Sequence, residues 1–323
     1  MSIPKTVSII VATHNRAESL KHFLKALEEL QVPEDVICSA YIVDNGSTDG
    51  TAEILASVQL PNLQLYTLQY KPGGKSACLN YAISLSKPDV YLFTDDDVFP
   101  PANWIAEITE PIFSGESDCA AGGIRVAAKY EGDGLDPYSC LCLGDTRHTD
   151  RSSTFYMIGA NMAISKKVME HIGGFNEDLG PGRLGTAEET LFSMQAMRAG
   201  FRIADRMEVI AEHHFDAHRL TARSYRKRFY TEGLCRGYIA YHWEHKFLSQ
   251  PKKKVKDAIR QLKMWRLQNA EDYKRENGLN PAEGTVLINI GYARQYAREK
   301  GKPRLYPFEK SGALPQSTIR GGT

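Results

Sequence analysis

TVSIIVATHNRAESLKHFLKALEELQVPEDVICSAYIVDNGSTDGTAEILASVQLPNLQLYTLQYKPGGKSACLNYAISLSKPDVYLFTDDDV, residues 6–98, alternates short apolar runs with stretches of helical periodicity. VSIIVAT, AYIVDN, LQLYTLQ and VYLFTDD read as strands, and helices are predicted between them over about 16–30, 48–58 and 75–85. Near-continuous apolar strands are covered on both faces, and strand–helix alternation makes the sheet mostly parallel. Such α/β sheets bind ligands outside the carboxyl ends of their strands. The candidate site is therefore the set of polar residues that close the strands: His14 and Asn15 after the first, Asp44 and Asn45 after the second, and Asp95, Asp96 and Asp97 after the fourth.

In an extended strand Asp95 and Asp97 project to one side and Asp96 to the other. Two carboxylates that share a site repel each other unless a cation lies between them, and hard oxygen donors of this kind suit Mg²⁺ or Mn²⁺ held together with substrate phosphates. The run taken alone leaves a second reading open, an acidic turn or helix cap ahead of Pro100-Pro101.

After Pro100 a helix is predicted through 104–112, and strands at CAAGGIRVAA and FYMIGANMAIS. The polar, Gly-rich stretch between them, 131–153, reads as a mobile loop. A helix at about 188–199 and strand material in FRIADRMEVIAEHH follow. Beyond Thr221 the chain is helical and basic, with a break at 249–251 and a further helix near 284–298. The expected organisation is a catalytic domain over 1–220, a helical extension over 221–300 and a disordered Gly- and Pro-bearing tail over 301–323. Lys252, Lys253, Lys254, Lys256, Arg260, Lys263 and Arg266 accompany Val255, Ile259, Leu262 and Trp265 at helical spacing. This reads as an amphipathic helix packed on protein, with an anionic membrane surface as its rival partner.

With 40 Lys+Arg against 39 Asp+Glu in 323 residues, no global charge steers the protein toward nucleic acid. Six scattered cysteines have neither disulfide-framework nor zinc-site spacing and read as reduced core thiols. The sequence has no apolar run long enough to span a bilayer and no secretory leader at its start. The expectation is a soluble, cytoplasmic protein, with peripheral contact at the inner face of the membrane left open by the basic helices.

Seven stretches, in order over about residues 5–235, resemble the family 2 inverting nucleotide-sugar glycosyltransferases of GT-A fold: VSIIVATHNR, IVDNGSTDGT, GGKSACLN, FTDDDV, GAN at 159–161, GGFNEDLG and AEETLFSMQAMRAGFRI. The resemblance implies an α/β, mixed and mostly parallel GT-A sheet with helices on both faces. It implies metal-dependent, inverting transfer of a sugar from a nucleotide-diphosphate donor, a UDP-sugar, to a hydroxyl acceptor that is a glycan, a lipid-linked acceptor or a small molecule. Carried onto this sequence, Thr13, Asn15 and Asp44 border the nucleobase, and Lys75 fixes the base or diphosphate. In the Asp-x-Asp motif Asp95 lies near the ribose, Asp96 is structural and Asp97 ligates Mn²⁺ or Mg²⁺. Where the family usually has a Glu-Asp pair at a helix start, this chain has Glu188-Glu189. Glu189 is the candidate catalytic base and Glu188 the alternative, while a capping box from Thr186 to Glu189 fits the same residues without catalysis. His213, rather than His214, aligns with a histidine that completes the metal shell. The resemblance leaves a sugar nucleotidyltransferase, or a catalytically silent nucleotide-sugar or glycan-binding protein of the same fold, as the other readings.

Overall fold

A computed structural model describes residues 4–71, 73–130, 137–147, 156–274 and 276–307. Strands β1 (Lys5–Thr13), β2 (Val36–Asp44), β3 (Gln64–Gln69) and β4 (Val90–Thr94) are separated by helices α1 (Ala17–Glu28), α2 (Thr51–Ser57) and α3 (Lys75–Leu85). After β5 (Val98–Phe99) come α4 (Trp104–Phe113), β6 (Cys119–Val126), α5 (Pro137–Cys142), β7 (Asn161–Ser165), α6 (Lys166–Ile172), α7 (Glu188–Arg198) and β8 (Ile203–His213). Helices α8 (Ala222–His242), α9 (Pro251–Gln268), α10 (Ala270–Tyr273) and α11 (Pro281–Glu299) complete the order. The eight strands form one sheet in the order β3-β2-β1-β4-β7-β6-β8-β5. Pairings β1–β2, β1–β4, β2–β3 and β6–β8 are parallel, while β7 runs antiparallel to both β4 and β6.

Alternation along β1 explains the two layers. Val7, Ile9 and Val11 pack with Leu20, Phe23 and Leu27 of α1 and Trp104 and Ile108 of α4. Ile10 faces the other way, onto Leu79 and Ala82 of α3 and Phe192 of α7. Each fully buried side chain of this size contributes roughly 1.5–3 kcal/mol of transfer free energy. Asn161, fully buried, ties the layers together: its Nδ2 donates to the Gly123 and Val209 carbonyls, each at 2.8 Å, and its Oδ1 accepts from Trp104 Nε1 at 2.8 Å. The GAN stretch therefore holds β6, β8 and α4 in register.

The predicted helix over 16–30 forms as α1, and 75–85 forms as α3. The predicted strand VYLFTDD ends earlier than expected, at Thr94. Val98 N–H donates to the Asp95 carbonyl at 3.0 Å, and the chain then pairs antiparallel with β8 at Val98–Phe99, so Asp95–Asp97 form a turn. Two-residue alternation does not govern that run. Within 131–153, residues 137–147 are ordered by α5 and by the buried Asp145, which accepts from Val126 N–H at 3.0 Å, while 131–136 and 148–153 lie outside the described residues. The chain also packs past residue 300: Tyr306 Oη accepts from Asn176 Nδ2 at 2.7 Å, and 308–323 lie outside the described residues.

Helices α8 and α11 approach so closely that a Cβ on Gly291 would sit 2.2 Å from the Tyr230 carbonyl oxygen. Ala258 and Leu262 of α9 are buried against Val286 and Ile290 of α11, while Lys252, Lys253, Lys254 and Lys256 are exposed. The amphipathic helix is thus packed on protein. Helix α8 also shares a core with α7, where Cys235, Tyr238 and Ile239 meet Leu179 and Leu191. All six cysteines are buried and unbridged. Among the described residues no helix is long and apolar enough to cross a membrane.

Candidate active site

The carboxyl ends of β1, β2 and β4 open onto one crevice, and the amino ends of α3 and α7 complete its wall. Register pairs Thr13 with Asp44 across β1 and β2. Asp44 is buried, and its Oδ1 accepts from Ser47 N–H at 2.9 Å and from Ser47 Oγ at 2.5 Å, which fixes the loop after β2. Asn15, exposed and at φ +52°, accepts from Thr48 N–H at 2.8 Å and pins the loop from the β1 side. Next to Asp44, Asn45 Oδ1 is buried with no hydrogen-bond partner among the described residues.

The three aspartates have three different environments. Asp95 Oδ1 lies 2.5 Å from Lys75 Nζ, and the same ammonium lies 3.5 Å from Glu188 Oε1. Burial disfavours the Lys75 charge, but Asp95 and Glu188 outweigh it and raise the ammonium's pKa above its ordinary value. Asp96 is buried and accepts from Thr13 Oγ1 at 2.6 Å, and burial together with the neighbouring Asp97 pushes its carboxyl up to about 7. The Thr13 hydroxyl thus ties Asp96 to the end of β1.

Asp97 is the anionic centre of the site. Its Oδ2 lies 3.1 Å from Arg16 Nη2 and 3.4 Å from Arg219 Nη1, and its Oδ1 lies 3.7 Å from His213 Nε2. Burial works against the carboxylate, but His213, Arg219 and Arg16 overcome it and hold Asp97 well below the usual carboxylate range. His213 Nδ1 donates to the Leu143 carbonyl at 2.6 Å, which orients the ring so that Nε2 faces Asp97. Arg219 Nη1 fills the gap, 3.1 Å from that Nε2. His214 points elsewhere and stacks on Phe99 with ring centroids 4.1 Å apart. The last residue of β8 and the histidine that follows it thus face different neighbours.

Helix α7 begins at Glu188, with Ala187 as its N-cap residue at φ +73°. The expected capping box is absent: Ala187 takes the N-cap position, and Thr186 Oγ1 donates to Glu232 of α8 at 3.1 Å instead of accepting from an α7 backbone N–H. Glu188 is buried against Lys75. Glu189 is half-buried, and burial followed by repulsion from Glu188 pushes its carboxyl up to about 8, with Lys75 opposing. The loop before α7 is clamped on both sides. Lys75 N–H donates to the Pro181 carbonyl at 2.9 Å, and Gly185, at φ +121°, lies where a Cβ would meet Thr231 of α8 at 2.8 Å.

The structure therefore brings Thr13, Asn15, Asp44, Lys75, Asp95, Asp96, Asp97, Glu188, Glu189 and His213 to one end of the sheet. Arg16 and Arg219 were not anticipated. Both were visible as cations immediately after strand-end polar residues, in HNR and in HHFDAHR, but only the fold shows that they converge on Asp97. Asp97 Oδ1 and His213 Nε2, a carboxylate oxygen and an imidazole nitrogen of the kinds that hold divalent cations, lie 3.7 Å apart with the Arg219 guanidinium beside both. Among the described residues no group of three or more His, Cys, Asp or Glu is spaced to hold a metal.

A strand-end crevice with paired acids, a bridging lysine and a mixed sheet of this order is that of a GT-A glycosyltransferase. Residues 8–173, just over half of the chain, match Glycosyl transferase family 2, and the chain belongs to that family. It is 24% identical over 209 residues to glycosyltransferase AglE of Haloferax volcanii, a match spanning 64% of this chain and 66% of that protein, so just under two thirds of the relative is covered. Among solved structures it is similar to mannosyltransferase PcManGT from Pyrobaculum calidifontis in complex with GDP-Man and Mn²⁺, with TM-score 0.53, 18% identity, and 89% of this chain and 69% of that one covered. It is also similar to residues 1–349 of S. aureus TarS in complex with UDP-GlcNAc, with TM-score 0.51, 16% identity and 94% of each chain covered.

Proposed function

We propose that the protein transfers a sugar with inversion from a UDP-sugar to a hydroxyl acceptor, in a metal-dependent reaction serving cell-surface polysaccharide or glycolipid synthesis. The observation that carries this reading is the Lys75 ammonium, which joins Asp95 on the nucleotide side to Glu188 at the start of α7. Solved relatives of this fold hold GDP-Man with Mn²⁺ and UDP-GlcNAc, which supports a nucleotide-sugar donor and a divalent metal here.

In this reading Asp44 and Asn45 read the nucleobase from the end of β2, and Asn45 Oδ1 gains the partner it lacks. Asp95, held by Lys75, borders the ribose. Asp97 and His213 hold Mn²⁺ or Mg²⁺, and imidazole as a ligand favours Mn²⁺. When bound, the metal neutralises the charge that develops on the departing diphosphate. Lys75 and Arg219 add fixed positive charge beside the phosphates. Glu189 takes the proton of the acceptor hydroxyl as its oxygen attacks the anomeric carbon opposite the diphosphate, and a single in-line displacement inverts that centre. The elevated carboxyl of Glu189 matches a base that works near neutral pH.

Residues 1–220 are proposed as the catalytic domain and 221–300 as a helical extension that closes the acceptor side through the core shared by α7 and α8. Six unbridged buried thiols suit a reducing, cytoplasmic compartment. The test is a thermal-shift screen of nucleotides and nucleotide-sugars with and without Mn²⁺. Ligand at a hundred times its Kd adds about 2.7 kcal/mol of stability, so stabilisation by UDP that requires Mn²⁺ is expected. Indifference to every nucleotide would overturn the proposal.

A further inference from the structure

Beside the Asp97 site lies a cavity of about 490 Å³ between the loop preceding α7 and the first three turns of α8. It is within the size range of small-ligand pockets, roughly 300–1,000 Å³. Arg183 and Thr186 face it from the loop, Lys227 and Arg228 from α8, and Arg219 from the end nearest Asp97. Among the described lining residues there are four cations and no Asp or Glu.

We infer that this cavity is an acceptor subsite for a phosphate group, so that the hydroxyl acceptor of the proposed transfer is a phosphate ester. The placement argues for the acceptor rather than the donor. Thr186 is only two residues before Glu188 and three before Glu189, so a ligand in the cavity lies on the side of the proposed base, away from the β2 end where the nucleobase belongs. Arg219 marks the border, touching Asp97 with one nitrogen while lining the cavity. Arg219 and Arg228 both line the cavity, and no Asp or Glu is among its described lining residues. An anion between them meets two guanidinium groups. Guanidinium forks match phosphate oxygens two at a time, which favours phosphate over a single carboxylate contact.

The inference rests on the proposed donor site, and the experiment keeps the two apart. Enzyme saturated with Mn²⁺ and UDP, so that the donor side is filled, is titrated with glycerol 1-phosphate and, in a second arm, with neutral vesicles carrying phosphatidic acid. The wild type is compared with Lys227→Gln/Arg228→Gln. Binding of either probe is expected, weakened about tenfold for each lost charged contact in the variant, with Mn²⁺-UDP affinity retained. Binding of the soluble ester indicates a soluble phosphorylated acceptor, whereas binding of the vesicles alone indicates a lipid-linked one, and both support the subsite. Absence of binding to the UDP-loaded enzyme overturns the inference and leaves the donor site standing, as does a variant that loses Mn²⁺-UDP instead. Failure of the wild type to bind Mn²⁺-UDP at all removes the donor reading on which it rests.

Discussion

Replacing Glu188 by Gln should move the pH dependence of the reaction without removing its base. Glu188 and Glu189 are consecutive at the start of α7, and the Glu189 carboxyl is pushed up to about 8 first by burial and then by the Glu188 charge. A base with that pKa is deprotonated in about one site in ten at pH 7 and about one in a hundred at pH 6, so kcat/KM should fall tenfold per unit below pH 8. Gln keeps the size of Glu188 and its neighbourhood with Lys75 but removes the like charge. Loss of that repulsion, partly screened by Lys75, should lower the Glu189 pKa by about one unit, roughly 1.4 kcal/mol. The acidic limb of kcat/KM should shift down accordingly, raising relative activity at pH 7, whereas Glu189→Gln should abolish turnover and keep Mn²⁺-UDP binding. The assay is UDP release against pH with the donor identified by the thermal-shift screen. Linkage gives an independent check: the folded state holds a proton that the unfolded chain releases above about 4.5, so this pair costs stability increasingly as pH rises from there through about 8. Glu188→Gln should flatten that decline. A limb unmoved by Glu188→Gln, or substantial turnover in Glu189→Gln, would refute the assignment.

Other expectations follow from the same geometry. Arg219→Gln empties the position between Asp97 and His213, so Mn²⁺ affinity measured by electron paramagnetic resonance without nucleotide should rise about tenfold; equal or weaker binding contradicts competition for that position. His213→Ala should weaken Mn²⁺ binding at least tenfold, while His214→Ala, which loses only its stack on Phe99 and its Glu212 contact, should leave it unchanged. Gly291→Ala drives a methyl into the Tyr230 carbonyl, 2.2 Å away, and should cost about 1–3 kcal/mol, seen as a fall of several degrees in Tm by calorimetry.

The strand series in residues 6–98 was legible because four apolar runs and their intervening helices each carry a local pattern, and the parallel order β3-β2-β1-β4 follows from short crossovers. The location of the site followed from that topology, since polar residues after β1, β2 and β4 have one crevice to face. Side-chain direction was not legible where the chain turns. Asp95 to Asp97 lie in a turn set by the pairing of β5 with β8, more than a hundred residues away in sequence, so strand alternation does not apply to them. Thr186 illustrates the same limit: its spacing to Glu189 satisfies a capping box, but Glu232, on a later helix, takes its hydroxyl. Arg16 and Arg219 carry no periodic signature, and their pairing with Asp97 spans 81 and 122 residues. His213 and His214 differ in what they face, the first Asp97 and the second the Phe99 ring, and sequence spacing alone does not separate them.

The central claim is that Asp97 anchors a divalent metal through which the nucleotide diphosphate is held. Calorimetric titration of UDP into wild type and Asp97→Ala, each with and without Mn²⁺, tests it most directly. The account predicts UDP binding that requires Mn²⁺ in the wild type and is lost in Asp97→Ala, while circular dichroism shows the fold retained. Mn²⁺-dependent UDP binding that survives in Asp97→Ala at wild-type strength would contradict it.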